Sequence, residues 1–426
     1  MIGMLALLLL FYNIIRQAVT LIAVENTVDP ATLADRPLEE LSEEELAAIL
    51  SEHVTANRMR VLILKDVVGA DQKEWAALNQ QSLENVLESG LYPEELADLP
   101  FKDLELEQIV SILQNGLSRD GLQRAVIDEV VQPVVTESWT LNEALLNRDE
   151  IDKIIDEKHP NAEVSWKVWV NLDFLTTPMH SRPELSGLRT AVFGSLWMML
   201  VTVAFAFPIG IGAAIYLEEY AADNWLNRII QLNISNLAGV PSIIYGILGL
   251  AVFVRFLDEI TSGKIFGLVE NEATVSGRTI LSAGLTMALL ILPIIIISAQ
   301  EAIKAVSPSL KEAAYGMGAT KLQMIRTVIL PNALPGILTG TILAISRAFG
   351  ETAPLVVVGS ITRITVDPEG PFSRFTAIPI QIYSWTSQPQ DEFRSIAAAA
   401  IIVLLIILLS FNATAIILRN RFSRRW

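Results

Sequence analysis

The chain has 426 residues, of which 52% are hydrophobic, and its mean hydropathy of +0.45 is high for a soluble protein. It contains no cysteine, which excludes a disulfide framework, a thiolate nucleophile and a cysteine-ligated metal site. Between Glu25 and Gly187 there are 33 acidic and 13 basic residues, whereas the rest of the chain is mildly basic. An acidic block is therefore joined to a hydrophobic one, which indicates two compartments.

The chain opens on the apolar run MIGMLALLLLFY (1–12), which NIIRQ (13–17) separates from TLIAV (20–24). Twelve clean residues are too few to span a membrane, and no basic segment precedes them. A secretory signal peptide is one interpretation, but a charged leader and a clear cleavage site are missing. We favour the interpretation that residues 1–24 form the outer part of a first membrane span that begins upstream of the given sequence.

The acidic block, 25–188, is predicted to be a folded and mainly helical extracytoplasmic domain. Ser42 and Glu45 form an S-x-x-E capping box ahead of apolar residues at helical spacing, and Gly116 is a candidate helix C-cap. The run VSWKVWVNLDFL (164–175) alternates enough to be a strand or an extended approach to the membrane. The carboxylates show no catalytic constellation, and the histidines lack the spacing of metal ligands. We therefore expect neither a catalytic nor a metal site here.

Five candidate membrane spans follow the acidic block. They are 190–217, 231–256, 280–303, 333–359 and 395–418. The basic segments near their ends are the tail RNRFSRRW (419–426) and the stretch 304–331, so both are predicted to be cytoplasmic. The connector LEEYAADNW (217–225) falls on the same side although it is acidic. Together with the first segment, these spans predict an all-α polytopic membrane protein with six spans.

The stretch EAAYGMGATKLQMIRTVILP (312–331) stands between two of these spans and resembles the EAA loop of importer permeases of ABC transporters. The residues that carry the resemblance are Glu312, Ala313, Ala314, Gly318, Leu330 and Pro331, with Val328 where the family has isoleucine. The resemblance implies short helices on the cytoplasmic face that dock into a groove of an ATPase subunit. An ordinary interfacial amphipathic helix is the alternative, but it does not require the spaced glycine or the terminal Leu-Pro.

Three further runs resemble the PstA-type subunit of phosphate importers. They are RAFGETAPL (347–355), AAIYLEEYA (213–221) and GVPSIIYGILGL (239–250), so the resemblance covers 189–426 and leaves the acidic block outside it. It implies a permease that works with a homologous permease subunit, two cytoplasmic ATPase subunits and an extracytoplasmic phosphate-binding protein. The chain has no GxxxxGK[ST] loop, so no ATPase activity and no cofactor are expected of it. The chain is also expected to contact membrane lipid, and it is not expected to bind nucleic acid.

Two alternatives stay open at this point. One is a permease for another oxyanion, such as molybdate or sulfate. The other is a membrane sensor or scaffold in which the external domain binds a ligand or an envelope partner.

Arg347 and Glu351 lie inside the fourth candidate span and are the predicted substrate-path residues. A helix that starts near Leu334 places Arg347 roughly 20 Å along a span of about 30 Å, where ionisable residues usually face a cavity. Pro354 cannot donate to the carbonyl of Gly350, so the helix should break beside the pair. Arginine grips phosphate oxygens with two hydrogen bonds, and a carboxylate can accept a proton from protonated phosphate. A buried salt bridge that only fixes packing is the alternative.

Overall fold

The computed structural model describes residues 2–68, 75–87, 90–180, 182–267, 277–360, 364 and 367–422. The end of the predicted cytoplasmic tail, 423–426, lies outside these residues. The chain divides into two compact units. One is the membrane unit, formed by Met1–Val19 and Val168–Trp426, and the other is the acidic unit, Thr20–Lys167.

The first apolar segment is shorter than the sequence predicts. Helix α1 (Ile2–Ala18) ends where strand β1 (Val19–Asn26) begins, so the predicted segment 1–24 is divided between a helix and a strand. The run TLIAV enters the strand because it pairs antiparallel with β2 (Pro133–Thr140), a partner more than a hundred residues away. Strand β3 (Glu163–Val168) completes a three-stranded sheet of order β2-β1-β3.

The rest of the acidic unit is mainly helical. Its helices are α2 (Glu43–His53), α3 (Ala56–Leu62), α4 (Trp75–Leu78), α5 (Leu83–Val86), α6 (Leu106–Gly116), α7 (Arg119–Val126), α8 (Leu141–Leu146) and α9 (Arg148–Lys158). The predicted capping box is confirmed, because the amide of Glu45 donates to Ser42 Oγ (3.3 Å) and the amide of Ser42 donates to Glu45 Oε2 (2.8 Å). The inward faces of α2 to α7 enclose one apolar core, whereas Ala144 of α8 and Ile151 and Ile155 of α9 pack with Leu21 of β1 in a second, smaller cluster.

The predicted C-cap role of Gly116 is wrong. Gly116 is the last residue of α6, and Leu117 caps the helix. A Cβ on Gly116 would lie 2.6 Å from Cγ1 of Val67, so glycine permits close packing here rather than a turn.

The membrane unit consists of helices of very different length. They are α10 (Leu172–Thr176), α11 (Arg189–Ile215), α12 (Trp225–Leu237), α13 (Ser242–Gly249), α14 (Asp258–Thr261), α15 (Ile280–Lys304), α16 (Pro308–Gly316), α17 (Lys321–Met324), α18 (Leu330–Gly350), α19 (Ala353–Val358), α20 (Ile378–Thr386) and α21 (Asp391–Phe422). Within the described residues, four helical stretches are long and apolar enough to cross a membrane, namely 189–220, 280–304, 321–350 and 391–421. Helix α1 is apolar but shorter.

Two predicted spans are broken in the structure. The segment 231–256 is not one straight helix, because α12 and the helical stretch 242–256 meet at a bend of 106°. Gly239 and Pro241 lie in that break, and a proline cannot donate to the preceding helical turn. The segment 333–359 is interrupted as well, because α18 ends at Gly350 and α19 starts only at Ala353.

Helix α15 is the centre of the membrane unit, and it packs along α11 on one side and α18 on the other. The window of α15 that qualifies as a span is 67% buried, far more than that of the peripheral α21. Gln300 Nε2 donates to Glu218 Oε1 (2.9 Å), which places the C-terminal ends of α11 and α15 on one face. At the other face, the Arg189 guanidinium lies 2.8 Å from Asp367 Oδ2. Helices α11 and α15 therefore run in the same direction, as the sequence predicts for these two spans.

Candidate functional site

The segment 304–331 forms a compact helical hairpin between α15 and α18. Helix α16 ends at Gly316, and the chain reverses at Gly318, whose φ is +80° and whose amide donates to the carbonyl of Tyr315 (2.9 Å). A left-handed residue of this kind favours glycine because it has no Cβ. Thr320 then caps α17, since its hydroxyl accepts from the amide of Gln323 (3.4 Å). We call 304–331 the coupling segment, after the role that its resemblance to the EAA loop implies.

The coupling segment exposes an apolar surface. None of the nine residues of α16, all within the described part of the chain, is buried. Met317 is 89% exposed and Leu322 is 68% exposed, and Leu310 and Tyr315 are exposed beside them. Apolar side chains gathered in this way on an exposed loop are typical of a surface that another protein covers. A groove of about 220 Å³ adjoins it, lined by Ala302, Ala305, Val306, Ser307, Leu310 and Asn332.

The sequence-predicted residues of this segment fall into two groups. Glu312, Ala313, Gly318 and Pro331 are exposed, whereas Ala314 and Leu330 are half-buried. The hairpin is anchored by Ile325 and Ile329, which are buried against the ends of α11, α15 and α18. Glu312 and Ala313 are therefore free to meet a partner, while Ala314 and Leu330 help to hold the hairpin in place.

Sequence reasoning missed three residues that contact the coupling segment. Glu218, Glu219 and Tyr220 lie in the connector after α11, and Glu219 Oε1 is 2.6 Å from Lys311 Nζ. The one sequence signal was the acidity of this connector, which contradicts the preference for basic residues on the cytoplasmic side. The structure explains that acidity, because Glu218 and Glu219 each pair with a lysine of the coupling segment.

Arg347 and Glu351 lie where α18 ends. Arg347 is in the last turn of the helix, and Glu351 is its C-cap, with φ −79° and ψ 122°. Arg347 Nε is 3.5 Å from Glu351 Oε1, a long contact, and the arginine side chain remains 45% exposed. The pair is thus unlike the buried salt bridge of the alternative interpretation, because the guanidinium keeps donors available on the surface of this chain.

Just past this end of α18, the broken helices α13 and α19 pack on each other. A Cβ on Gly246 would lie 2.7 Å from Cα of Pro354, so α13 and α19 cross in direct backbone contact. The hydroxyl of Tyr245 donates to the carbonyl of Leu237 (2.7 Å), across the bend between α12 and α13. In a membrane, such interrupted backbone is tolerated where protein or a water-filled cavity covers it. The arrangement therefore places an arginine, a carboxylate and two helix breaks in one region.

Replacing Gly246 by alanine is expected to destabilise the membrane unit by about 1–3 kcal/mol, the usual cost of overpacking a close contact. The added Cβ would meet backbone atoms of Pro354, which cannot move aside by a change of side-chain rotamer. Thermal unfolding of the purified chain in detergent measures the effect. Gly212→Ala in α11 is the matched control, because no heavy atom of the described chain lies within 4 Å of its added Cβ. Equal midpoints for the two variants would contradict the close crossing.

Residues 189–426 match the protein family described as the binding-protein-dependent transport system inner membrane component. The match runs from the start of α11 and leaves the acidic unit outside it.

Curated relatives align with about half of this chain. A probable ABC transporter permease protein of Bacillus subtilis, YqgI, is 30% identical over 213 residues, which are 50% of this chain and 67% of that protein. The phosphate transport system permease protein PstC of Haemophilus influenzae is 34% identical over 204 residues, 46% of this chain and 64% of its own length. The phosphate transport system permease protein PstA of Yersinia pestis is 28% identical over 267 residues, which are 59% of this chain and 83% of that protein.

Among solved structures, an inward-facing form of the MetNI methionine ABC transporter aligns with 55% of this chain and 95% of that chain, with 18% identity and a TM-score of 0.42. A bacterial ABC transporter involved in the import of the acidic polysaccharide alginate aligns with 66% of this chain and 92% of that chain, with 17% identity and a TM-score of 0.41.

Proposed function

Because this chain belongs to the family of inner membrane components of binding-protein-dependent transport systems, we propose that it is a permease subunit of an ATP-driven phosphate importer. The chain forms part of the translocation path, and a separate ATPase subunit hydrolyses ATP. The observation that carries this proposal is the coupling segment, an exposed helical hairpin that presents Tyr315, Met317 and Leu322 at the end of the membrane helices.

The coupling segment is the proposed docking surface of the ATPase. Its exposed apolar side chains need a partner, and its basic residues place it on the cytoplasmic side, where ATP is available. Glu312, Ala313, Ala314, Gly318, Leu330 and Pro331 are the proposed coupling residues. Closure of the ATPase around ATP then moves the hairpin. Because the hairpin is joined to α15 and α18, this movement opens the translocation path to the opposite side of the membrane.

Phosphate is the proposed substrate. The run RAFGETAPL supports this assignment together with curated relatives that are phosphate permeases. Arg347 supplies a guanidinium fork that matches the geometry of a phosphate, and Glu351 lies within reach of it. The relatives include both PstA and PstC proteins, so the PstA-type assignment rests on the runs 213–221, 239–250 and 347–355.

The partners follow from the same proposal. The chain pairs with a homologous permease subunit in a complex with two cytoplasmic ATPase subunits, and it receives phosphate from an extracytoplasmic binding protein. The acidic unit is on the extracytoplasmic side. Its excess of carboxylates would repel free phosphate, so we propose that it contacts the binding protein or the envelope rather than the substrate.

Uptake of radiolabelled phosphate into cells with and without this gene tests the proposed function. We expect the deletion to remove high-affinity, ATP-dependent phosphate uptake and the gene to restore it. Competition by unlabelled sulfate and molybdate tests the substrate class. Loss of molybdate or sulfate uptake with phosphate uptake intact would assign another oxyanion, and no change for any of the three would contradict a transport role.

Excision of the acidic unit, with a short Gly-Ser linker from Val19 to Val168, is expected to reduce phosphate uptake without abolishing it. The amide of Trp169 donates to the carbonyl of Ala18 (3.0 Å), so the chain leaves and re-enters the membrane unit at one place. The membrane unit also keeps its own buried clusters without residues 20–167. Uptake is measured at matched membrane levels of the two proteins. Complete loss of uptake at normal levels would show that the acidic unit is essential to transport.

A further inference from the structure

Three consecutive side chains of the connector after α11 each contact a different part of the coupling segment. Glu218 Oε1 accepts from Gln300 Nε2 and lies 3.4 Å from Lys304 Nζ, at the end of α15. Glu219 pairs with Lys311 in α16. The Nζ of Lys321 in α17 lies 4.9 Å from the centroid of the Tyr220 ring, within the range of a cation–π interaction. We call Glu218–Tyr220 the connector clamp.

The contact between Glu219 and Lys311 is the strongest of the three. The Oε1–Nζ distance is 2.6 Å, and the glutamate side chain is only 9% exposed while the lysine is 26% exposed. A pair so shielded from water is screened little by salt. Removing one partner leaves the charge of the other partner shielded from water and unpaired. The clamp residues lie in a π-helical turn, 216–220, a form of backbone that is frequent at functional positions.

Helix α16 has few other attachments. It buries none of its own residues, all of which are described, and it packs mainly on α17 and the turn 325–329 of the same hairpin. Helix α11, by contrast, packs extensively on α15. Ala314 is the residue of α16 that packs against the apolar cluster at the ends of the membrane helices, and the pair formed by Lys311 adds a polar link from α16 to the end of α11.

We propose that the connector clamp is a second mechanical link between the ATPase and the membrane helices, with Glu219 as the positioning residue that holds α16 to α11. This inference rests on the proposed function, because it assigns a coupling role to the same segment. The hairpin is continuous with α15 and α18 through the backbone, and the clamp adds α11. A movement of α16 is then shared by three membrane helices.

The coupling ratio, phosphate imported per ATP hydrolysed, tests the proposal in proteoliposomes that contain the complete transporter and its binding protein. We expect Glu219→Gln and Lys311→Gln each to lower this ratio about 2- to 30-fold, the range by which substitutions within a coupling network act, with ATPase activity retained. The double exchange Glu219→Lys with Lys311→Glu should restore the ratio, because the pair re-forms with reversed charges. Asp223→Asn is the matched control, since the Asp223 side chain is 94% exposed in the same connector. Its contact with Arg228 is long, at 3.8 Å.

A second measurement does not depend on phosphate transport. The chain has no native cysteine, so spin labels at Tyr216→Cys and Ser309→Cys report the distance between the connector and α16 in the purified full-length chain. We expect one narrow distance distribution, which Glu219→Gln broadens and the double exchange narrows again. An unchanged distribution in Glu219→Gln would overturn the clamp whatever the substrate is. Broadening that the double exchange does not reverse would also overturn it, because the glutamate would then act on α11 alone. Absence of phosphate uptake by the unmodified transporter, with the distance results as expected, would instead contradict the proposed function.

Discussion

Replacing Arg347 by lysine is expected to reduce phosphate uptake about 10- to 100-fold, while the transporter assembles normally and retains basal ATPase activity. Lysine keeps the positive charge but loses the planar fork that gives two parallel hydrogen bonds to a phosphate. One charge-assisted hydrogen bond contributes about 1.5–3 kcal/mol, which corresponds to this range of rates. The measurement is phosphate uptake in proteoliposomes together with ATPase activity and subunit co-purification.

The geometry of Arg347 gives this experiment its contrast. The contact with Glu351 is long and the arginine side chain is about half exposed, so the helix does not depend on the pair. Arg394→Lys is the matched control, because Arg394 forms an exposed pair with Asp391 (2.8 Å) at the start of α21. We expect that control to transport phosphate normally. Normal uptake by Arg347→Lys, or a complex that fails to assemble, would favour a purely structural pair.

Replacing Gly318 by proline is expected to abolish binding of the ATPase and phosphate uptake, with the chain still inserted in the membrane. Proline fixes φ near −65°, whereas Gly318 has φ +80°, and proline also removes the amide that donates to Tyr315. The chain can then no longer reverse between α16 and α17, and the exposed apolar side chains of the hairpin no longer form one surface. Insertion should persist because Gly318 lies between the apolar stretches 280–304 and 321–350. Co-purification of the ATPase and uptake at matched membrane levels are the measurements.

Gly316→Ala is the matched control for this change. Gly316 lies two residues earlier with ordinary helical backbone, and no heavy atom of the described chain lies within 4 Å of an added Cβ. We expect this variant to bind the ATPase as the unmodified chain does. Gly318→Ala should give an intermediate result, since a left-handed alanine costs about 1–2 kcal/mol. Undiminished ATPase binding in Gly318→Pro would remove the coupling assignment.

Features that depend on local sequence could be predicted. The capping box at Ser42, the long apolar helix 280–304 and the helix break before Pro354 each follow from residues a few positions apart. The reversal at Gly318 could be predicted for the same reason, because glycine is the residue that most readily adopts a positive φ.

Features that depend on distant residues could not be predicted. The run TLIAV is apolar enough for a membrane helix, and its place between β2 and β3 in the sheet makes it a strand. The acidity of Glu218 and Glu219 had no explanation from the sequence, because the lysines with which they pair lie about 85 or more residues further along the chain. The exposure of Arg347 is likewise a property of packing, because the sequence shows its position in the helix but not which surface it faces.

The packing of α1 on α21 has a consequence for biosynthesis. Ile14 and Ala18 are buried against Ala398, so a helix at the beginning of the sequence finds its neighbour in the final one. At about 5–20 residues per second, the ribosome reaches Asp391 roughly 20–75 s after it has passed Ala18. During that interval the acidic unit is fully synthesised and has time to fold, while α1 still waits for its neighbour. A nascent chain that stalls before α21 therefore carries α1 without the helix against which Ile14 and Ala18 are buried.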